Sequence, residues 1–217
     1  MIKGVIFDMD GVIIDSEPVY NRMVQDFLKR EGIAADREEI CSMVGISSRQ
    51  YARKLKEWWR RSHYTTEDPG DLYQKFCKET ENQQLPYEEI IIPYIEEVMA
   101  VLFKNNIKIA IASSSSMKDI DNMLRATGLG RFVSVKLTGE SLEESKPNPK
   151  IYLLAVEQLR LRKEECIAVE DSPYGIQAAV SAGIKVIARR EERFGFNQKA
   201  ADYIVDSLDE IIKMIGL

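Results

Sequence analysis

Six short apolar runs recur along the 217-residue chain, and they constrain its fold more than any other feature. The runs are short and rich in Val and Ile, which is typical of strands buried on both faces of a parallel sheet. Helical patterns separate most of the runs. This alternation predicts a doubly wound parallel α/β sheet with right-handed crossovers. The runs are residues 3–8, 107–112, 133–137, 166–170, 184–188 and 203–205.

The stretches between the runs carry signals for helix ends. Residues 117–127 stop before Gly128, residues 149–159 open with a proline, and residues 173–182 stop before Gly183. Glycine commonly follows the last turn of a helix, and proline is tolerated in the first turn. Ser207 followed by Glu210 has the spacing of a capping box, so the last helix is predicted to begin at Ser207.

Residues 16–85 break the alternation, because they contain helical patterns and no convincing strand. These patterns cover residues 19–31, 37–43, 48–63 and 71–81. A helical insertion directly after the first strand predicts two domains. We expect a Rossmann-like core domain of residues 1–15 and 86–217, and a helical cap domain of residues 16–85 over the carboxyl ends of the strands. Hinges are expected near residues 14–18 and 83–86.

Two apolar runs end in acidic residues. Asp8 ends the first run and Asp10 comes two residues later, and side chains two residues apart on extended backbone face the same side. Clustered carboxylates are costly to bury without a cation. Glu170 and Asp171 end a second run, and two acid-terminated strands in one sheet predict a Mg²⁺ site that a phosphate completes. The alternative is that the first pair is solvated and that Asp171 caps the following helix.

Two further stretches suit an anionic ligand. The sequence IASSSS contains Ser113 to Ser116 and lies between a strand and a helix. Its hydroxyl and N–H groups could bind phosphate, or a serine could simply cap the helix. Lys146 lies in the proline-rich stretch ESKPNPK, where its ammonium group could enter the cleft and offset the charge of a phosphoryl group. The alternative for Lys146 is a solvated loop lysine.

The net charge and the cysteine pattern exclude some partners. A net charge of −5 argues against a nucleic-acid binder, which usually presents a basic face. No apolar stretch approaches the roughly 20 residues of a membrane helix, so a membrane is not an expected partner. The three cysteines have neither CxxC nor His-paired spacing, and the first residues do not resemble a signal peptide. We therefore expect a cytoplasmic protein, and the sequence is compatible with a monomer.

The four chemical stretches, taken in order, resemble the haloacid dehalogenase superfamily. The shared motifs are DxDGx, a serine after the second strand, a lysine in SKPxP and the acidic pair of EDS. The resemblance spans essentially the whole chain. The helical insertion, together with KPNPxIY and VEDSxxGIxAAxxAG, is similar to the branch that holds phosphoglycolate-phosphatase-like and β-phosphoglucomutase-like enzymes.

The resemblance implies a mechanism and a cofactor. Asp8 would be the nucleophile that forms an aspartyl-phosphate, and Asp10 would be the general acid and then the general base. Mg²⁺ is the implied cofactor, and a small phosphorylated metabolite is the implied partner. The implied ligands are Asp8, Asp10 (through its backbone carbonyl), Glu170 and Asp171 for Mg²⁺, and Ser113, Ser114 (through its backbone N–H) and Lys146 for the phosphoryl oxygens.

The predicted cap decides between related activities. Mutases of this branch carry a histidine in the first cap helix, which this chain lacks, while Glu17 recurs in phosphatase-like members. Hydrolysis of a small phosphate monoester, such as a sugar phosphate, is therefore expected. One alternative is a β-phosphoglucomutase-type mutase, in which Arg49 would contact substrate; Arg49 lies in VGISSRQ, which resembles the GxS cap segment, near the position of the mutase arginine. The other alternative is an inactive phosphosugar-binding or regulatory protein. The stretch EWWRRSHY either contacts substrate or packs one tryptophan in the cap core, with solvated arginines.

Overall fold

A computed structural model describes residues 1–43, 48–80 and 85–217, and the chain forms two compact units. One unit joins Met1–Asp15 to Tyr87–Leu217, and the other is Ser16–Pro86. Within the described residues, no helix combines the length and apolarity that crossing a membrane requires.

The first unit is built on a six-stranded, wholly parallel sheet. All six predicted runs are confirmed as strands, with small shifts at their ends. The strand order is β3-β2-β1-β4-β5-β6. The strands are β1 (Gly4–Phe7), β2 (Lys108–Ser113), β3 (Val135–Thr138), β4 (Cys166–Glu170), β5 (Lys185–Arg189) and β6 (Tyr203–Val205).

The strand order places a topological switch point between β1 and β4. The chain builds outward from β1 through β2 to β3, and then crosses back to β4 on the other side of β1. In open α/β sheets the crevice at the carboxyl ends of such strands is the usual ligand site. Because Phe7 pairs with Val169, the acids that follow β1 and β4 reach this crevice at the same height.

Helices cover both faces of the sheet. On one face, small residues such as Ala110, Ala168 and Ala188 pack against α7 and α8, and this cluster is almost fully buried. The alternate residues of each strand point to the other face, where α5 contacts β2 and α6 contacts β3. The helices of this unit are α5 (Ile95–Lys104), α6 (Met117–Thr127), α7 (Lys150–Leu159), α8 (Pro173–Ser181) and α9 (Glu210–Met214).

Serines begin two of the site-facing helices. Ser116 accepts a hydrogen bond from the N–H of Asp119 at the start of α6, so the capping reading of the serine stretch is correct for this residue. Ser172, and not Asp171, caps α8 by accepting from the N–H of Gly175. The capping alternative for Asp171 is therefore wrong.

The last helix begins later than predicted. It starts at Glu210, whose carboxylate accepts from the N–H of Ser207 at 3.0 Å, as one half of a capping box would. The hydroxyl of Ser207 instead donates to Asp209, so the other half is not formed. Local competition for this hydroxyl moves the start of the helix by three residues.

The Ser16–Pro86 unit is helical, with α1 (Glu17–Arg30), α2 (Arg37–Cys41), α3 (Ser48–His63) and α4 (Leu72–Thr80). α2 ends at Cys41, two residues before the predicted end at residue 43. Three predicted features lie outside the described residues: the helix end at residue 81, the hinge residues 83–84, and residues 44–47 of VGISSRQ. Trp58 is 4% exposed and belongs to the apolar core of this unit, as one reading of EWWRRSHY predicts. Arg61 pairs with Glu39 at the surface.

Candidate active site

Lys146 is the centre of a buried charge cluster at the switch point. Its Nζ donates to Oδ1 of Asp8 at 2.8 Å, to Oε1 of Glu170 at 2.7 Å and to the carbonyl oxygen of Ala112 at 2.9 Å. The side chain of Lys146 is only 6% exposed, so the solvated-lysine alternative is wrong. The Lys146–Pro147 peptide bond, which precedes α7, is cis.

Three carboxylates cluster here, and two of them, Asp8 and Glu170, contact the ammonium group. Asp8, Glu170 and Asp171 are all buried, and one ligand atom from each lies within 4.8 Å of the others. The hydroxyl of Tyr152 on α7 also donates to Oε1 of Glu170. Three carboxylates and one ammonium group give this cluster a net formal charge of −2. A divalent cation held by hard oxygen ligands would balance that charge.

The electrostatics of the cluster reflect this excess of negative charge. Burial, followed by the charge of Glu170, raises the pKa of Asp8 to about 7, although Lys146 opposes the shift. Burial alone would lower the pKa of Lys146, but the charges of Asp8 and Glu170 outweigh it and raise that pKa. Lys146 is therefore a permanent cation, while the charge on Asp8 is costly unless a second cation is present.

Two glycines allow the acids to approach so closely. Gly11 has φ +80°, and a Cβ atom there would lie 2.0 Å from Oδ2 of Asp171. A Cβ atom at Gly175, in the first turn of α8, would lie 2.0 Å from Cδ of Glu170. Any side chain at either position would displace a carboxylate of the cluster. The left-handed turn at Gly11 also carries the chain away from β1 immediately after Asp10.

Asp10 is held by the serine stretch after β2. Its Oδ2 accepts from the hydroxyl of Ser115 at 2.6 Å and from that of buried Ser113 at 3.5 Å. The carbonyl of Ser115 is fixed in turn by the hydroxyl of Thr138 at 2.6 Å. Sequence reasoning named Ser113 and Ser114 but missed Ser115, since any member of a serine run fits the same pattern. The residues at the carboxyl end of β2 therefore fix the side chain of Asp10.

The structure brings together most, but not all, of the candidate residues. Asp8, Asp10, Ser113, Lys146, Glu170 and Asp171 converge at the carboxyl edge of the sheet. Ser114 follows Ser113 and is exposed. Arg49 belongs to the other unit, where it is exposed near the start of α3. Tyr152 is a further site residue that sequence reasoning did not single out, although it is the last residue of KPNPxIY.

The chain is similar to known proteins in sequence and in fold. The family model described as haloacid dehalogenase-like hydrolase matches residues 5–189. A phosphorylated carbohydrates phosphatase of Thermotoga maritima is 29% identical over 86% of this chain and 84% of its own length. Hexitol phosphatase A of Escherichia coli is 29% identical over 96% of this chain and 93% of its own. The crystal structure of a β-phosphoglucomutase from Clostridium difficile superimposes with a TM-score of 0.79 at 25% identity, and covers 99% of this chain and 96% of its own.

Proposed function

Because the chain belongs to the haloacid dehalogenase-like hydrolase family, we propose that it is a Mg²⁺-dependent phosphatase acting on a small phosphate monoester through an aspartyl-phosphate. The observation that carries this proposal is the buried cluster in which Lys146 contacts Asp8 and Glu170 beside Asp171. The carboxylate of Asp8 lies at the switch point of the sheet, where ligands usually bind. It can attack a phosphoryl group because the positive charge of Lys146 offsets the repulsion between the carboxylate and the phosphate.

In the first step, a carboxylate oxygen of Asp8 attacks phosphorus while the bond from phosphorus to the leaving oxygen breaks. The leaving oxygen takes a proton from Asp10, whose carboxyl group lies against Ser115 in the same cleft. The ammonium group of Lys146 and the hydroxyl of Ser113 stabilise the charge on the transferring phosphoryl oxygens, as does the backbone N–H of Ser114.

In the second step, water attacks the phosphorus of the aspartyl-phosphate and gives its proton to Asp10. The bond from phosphorus to Asp8 breaks, inorganic phosphate leaves, and both residues return to their starting protonation states. Phosphoryl transfer depends mainly on positioning and electrostatics, so this small set of groups is sufficient.

The donor set fits Mg²⁺. Asp8, Glu170 and Asp171 supply hard carboxylate oxygens, and their excess negative charge matches a divalent ion. We propose that these residues hold Mg²⁺ with the backbone carbonyl of Asp10. The ion supplies charge stabilisation and orients the phosphoryl group when bound. The raised pKa of Asp8 is what this arrangement produces without that ion.

Mg²⁺ affinity should increase as pH rises through about 7. Only the carboxylate form of Asp8 binds a metal, and its pKa is raised to about 7, so Mg²⁺ must displace a proton below that pH. Calorimetry at about pH 6, 7 and 8 should give binding that tightens up to about tenfold per pH unit and then levels off. Proton release should fall over the same range. An affinity that does not vary over this range would contradict the placement of Mg²⁺ on Asp8.

Ser115→Ala should lower kcat by about tenfold, because the carboxyl group of Asp10 loses its 2.6 Å hydrogen bond. Ser115→Thr retains a hydroxyl at this position and should recover most of the loss. Steady-state kinetics of both variants on the same ester measure this effect. Equal activity of Ser115→Ala and the wild type would show that Asp10 does not need this contact.

The substrate class that we propose is a sugar phosphate. The names of the two phosphatases compared above concern phosphorylated carbohydrates and hexitols, which supports a sugar phosphate for this chain. We propose that the Ser16–Pro86 unit acts as the cap that selects the substrate, with Arg49 as a candidate contact. Arg49 is exposed on α3, as a contact to an external anion requires.

A panel of sugar phosphates, including β-glucose 1-phosphate, tests this proposal. Phosphate release and isomerised sugar phosphate should be measured together, with Mg²⁺ and with a chelator. Mg²⁺-dependent release that exceeds isomerisation is the expected result. Isomerisation that outruns release would instead assign a mutase, and equal inactivity of the wild type and Asp8→Asn on the whole panel would favour a phosphosugar-binding or regulatory protein.

A further inference from the structure

The loop of residues 189–198, which follows β5, contains polar groups that the proposed chemistry does not use. Glu191 and Gln198 are 4% and 6% exposed, although both carry polar side chains. Buried polar groups of this kind are retained only when they are fully hydrogen-bonded, so their partners identify what the loop holds. We call this segment the 189–198 loop.

The 189–198 loop contacts the site at Gly11 and Asp171. Nη1 of Arg189 donates to the carbonyl oxygen of Gly11 at 3.0 Å. The amide of Gln198 donates to the carbonyl oxygen of Asp171 at 2.6 Å and to that of Arg189 at 2.7 Å, and its oxygen accepts from the N–H of Glu191. The loop is thus fixed to the backbone beside two of the acidic positions.

A third contact runs through Arg193. Buried Glu191 accepts from the backbone N–H of Arg193 at 2.7 Å and from its guanidinium group, which sets the direction of that side chain. The guanidinium then donates from Nη1 and Nη2 to the two oxygens of Asp15, both at 2.8 Å. This paired geometry is the most directional form of a salt bridge. Burial of Glu191 therefore serves to aim Arg193 at Asp15.

Asp15 closes the turn that carries Asp10. The N–H of Gly11 donates to the carbonyl oxygen of Ile14 at 2.8 Å, and Asp10 and Ile14 form an isolated bridge. On its other side, the N–H of Asp15 donates to the carbonyl oxygen of Ile90 at 2.7 Å. Residues 10–15, the 10–15 turn, are therefore held between residues 90–92 and the 189–198 loop.

We infer that Arg193 is a positioning residue that holds the 10–15 turn through Asp15 and so fixes the location of the Asp10 carboxyl group; this inference rests on the proposed function. The side chains of Arg193 and Asp15 are 40% and 33% exposed, so their pair contributes little to folding stability. Its geometry matters more, because a general acid displaced by about 1 Å can lose much of its effect. The contact acts on Asp10 without touching the substrate.

The inference is tested by the dependence of the loss on the leaving group. Asp15→Asn leaves the Arg193–Glu191 pair intact and weakens only the link to the 10–15 turn. An alkyl phosphate needs a proton from Asp10, whereas p-nitrophenyl phosphate has a good leaving group and needs it less. We expect kcat/KM, which reports the steps up to formation of the aspartyl-phosphate, to fall by about tenfold on the alkyl ester and by less than about threefold on the aryl ester.

Two further variants complete the experiment. Arg193→Gln should reproduce the Asp15→Asn pattern, and the double variant should lose no more than either single one, because both act through one contact. Arg190→Gln is the matched control: it removes an exposed arginine of the same loop that, among the ion pairs described, pairs with Asp206 and not with Asp15 or Glu191, and it should leave kcat/KM on both esters unchanged. Melting curves should show that all variants remain folded.

Three results would overturn the inference while Mg²⁺-dependent hydrolysis by the wild type stands. They are equal losses of kcat/KM on both esters, no loss on either, and losses that multiply in the double variant. A wild type that hydrolyses no ester, and an Asp8→Asn variant that is no different, would instead overturn the proposed function and the inference with it.

Discussion

Asp8→Asn is expected to lower kcat/KM by at least about 10⁴-fold, because the amide cannot form the aspartyl-phosphate. The same substitution should not lower the melting temperature of the metal-free protein. Asp8 has a pKa raised to about 7 by burial and Glu170, so its charge destabilises the fold as pH rises through that value. Removing the charge removes this cost, and a catalytic residue is often destabilising in this way.

The measurement compares hydrolysis and thermal unfolding of the two proteins at about pH 8. Asp206→Asn is a suitable control, since it is the same chemical change at an exposed residue that pairs only with Arg190 among the ion pairs described. This control should retain full activity. An Asp8→Asn variant within about tenfold of the wild type would exclude Asp8 as the nucleophile.

Lys146→Met is expected to lower kcat by at least about 10³-fold and to destabilise the metal-free protein. The substitution leaves two buried carboxylates, Asp8 and Glu170, without their 2.7–2.8 Å ammonium partner, beside a third at Asp171. Breaking a buried ion pair by removing one member typically costs about 3–5 kcal/mol. The deficit should be greatest at high pH and shrink as pH falls, because protonation of the acids replaces the lost positive charge.

Added Mg²⁺ separates the two roles of Lys146. The ion should restore part of the lost stability, since it supplies positive charge to the same carboxylates, but it should not restore the rate. Lys150→Met, at an exposed lysine that begins α7, is the matched control and should be neutral in both assays. Activity of Lys146→Met within about threefold of the wild type would mean that the ammonium group does not stabilise the transferring phosphoryl group.

The core sheet could be predicted from the sequence because each strand is a local signal. Val and Ile at consecutive positions, as in β1 and β4, identify a strand buried on both faces without any knowledge of its neighbours. The helix α5 (Ile95–Lys104) was not among the predicted helices, although Ile95, Val98, Met99 and Leu102 have helical spacing and are all buried. Because this spacing is also a local signal, α5 could have been predicted.

Other features of the site could not be predicted, because they depend on contacts between residues far apart in the chain. The Arg193–Asp15 pair joins residues separated by 178 positions, and no motif in the sequence indicates that the two residues are partners. The role of Ser115 depends on which hydroxyl of a four-serine run faces Asp10. Asp15 lies within residues 14–18, where the sequence predicts a hinge, and it is the last residue of the Met1–Asp15 segment of the first unit.

The central claim, an aspartyl-phosphate on Asp8, is tested most directly by trapping it. The enzyme is mixed with Mg²⁺ and a radiolabelled phosphate ester, quenched in acid during turnover and digested into peptides. We predict label on the peptide that contains Asp8, released by hydroxylamine as an acyl phosphate should be, and absent from Asp8→Asn. Label should accumulate further in Asp10→Asn with an aryl ester, since the second step has lost its base. Rapid Mg²⁺-dependent turnover with no label on that peptide, or with label on another residue, would contradict the mechanism.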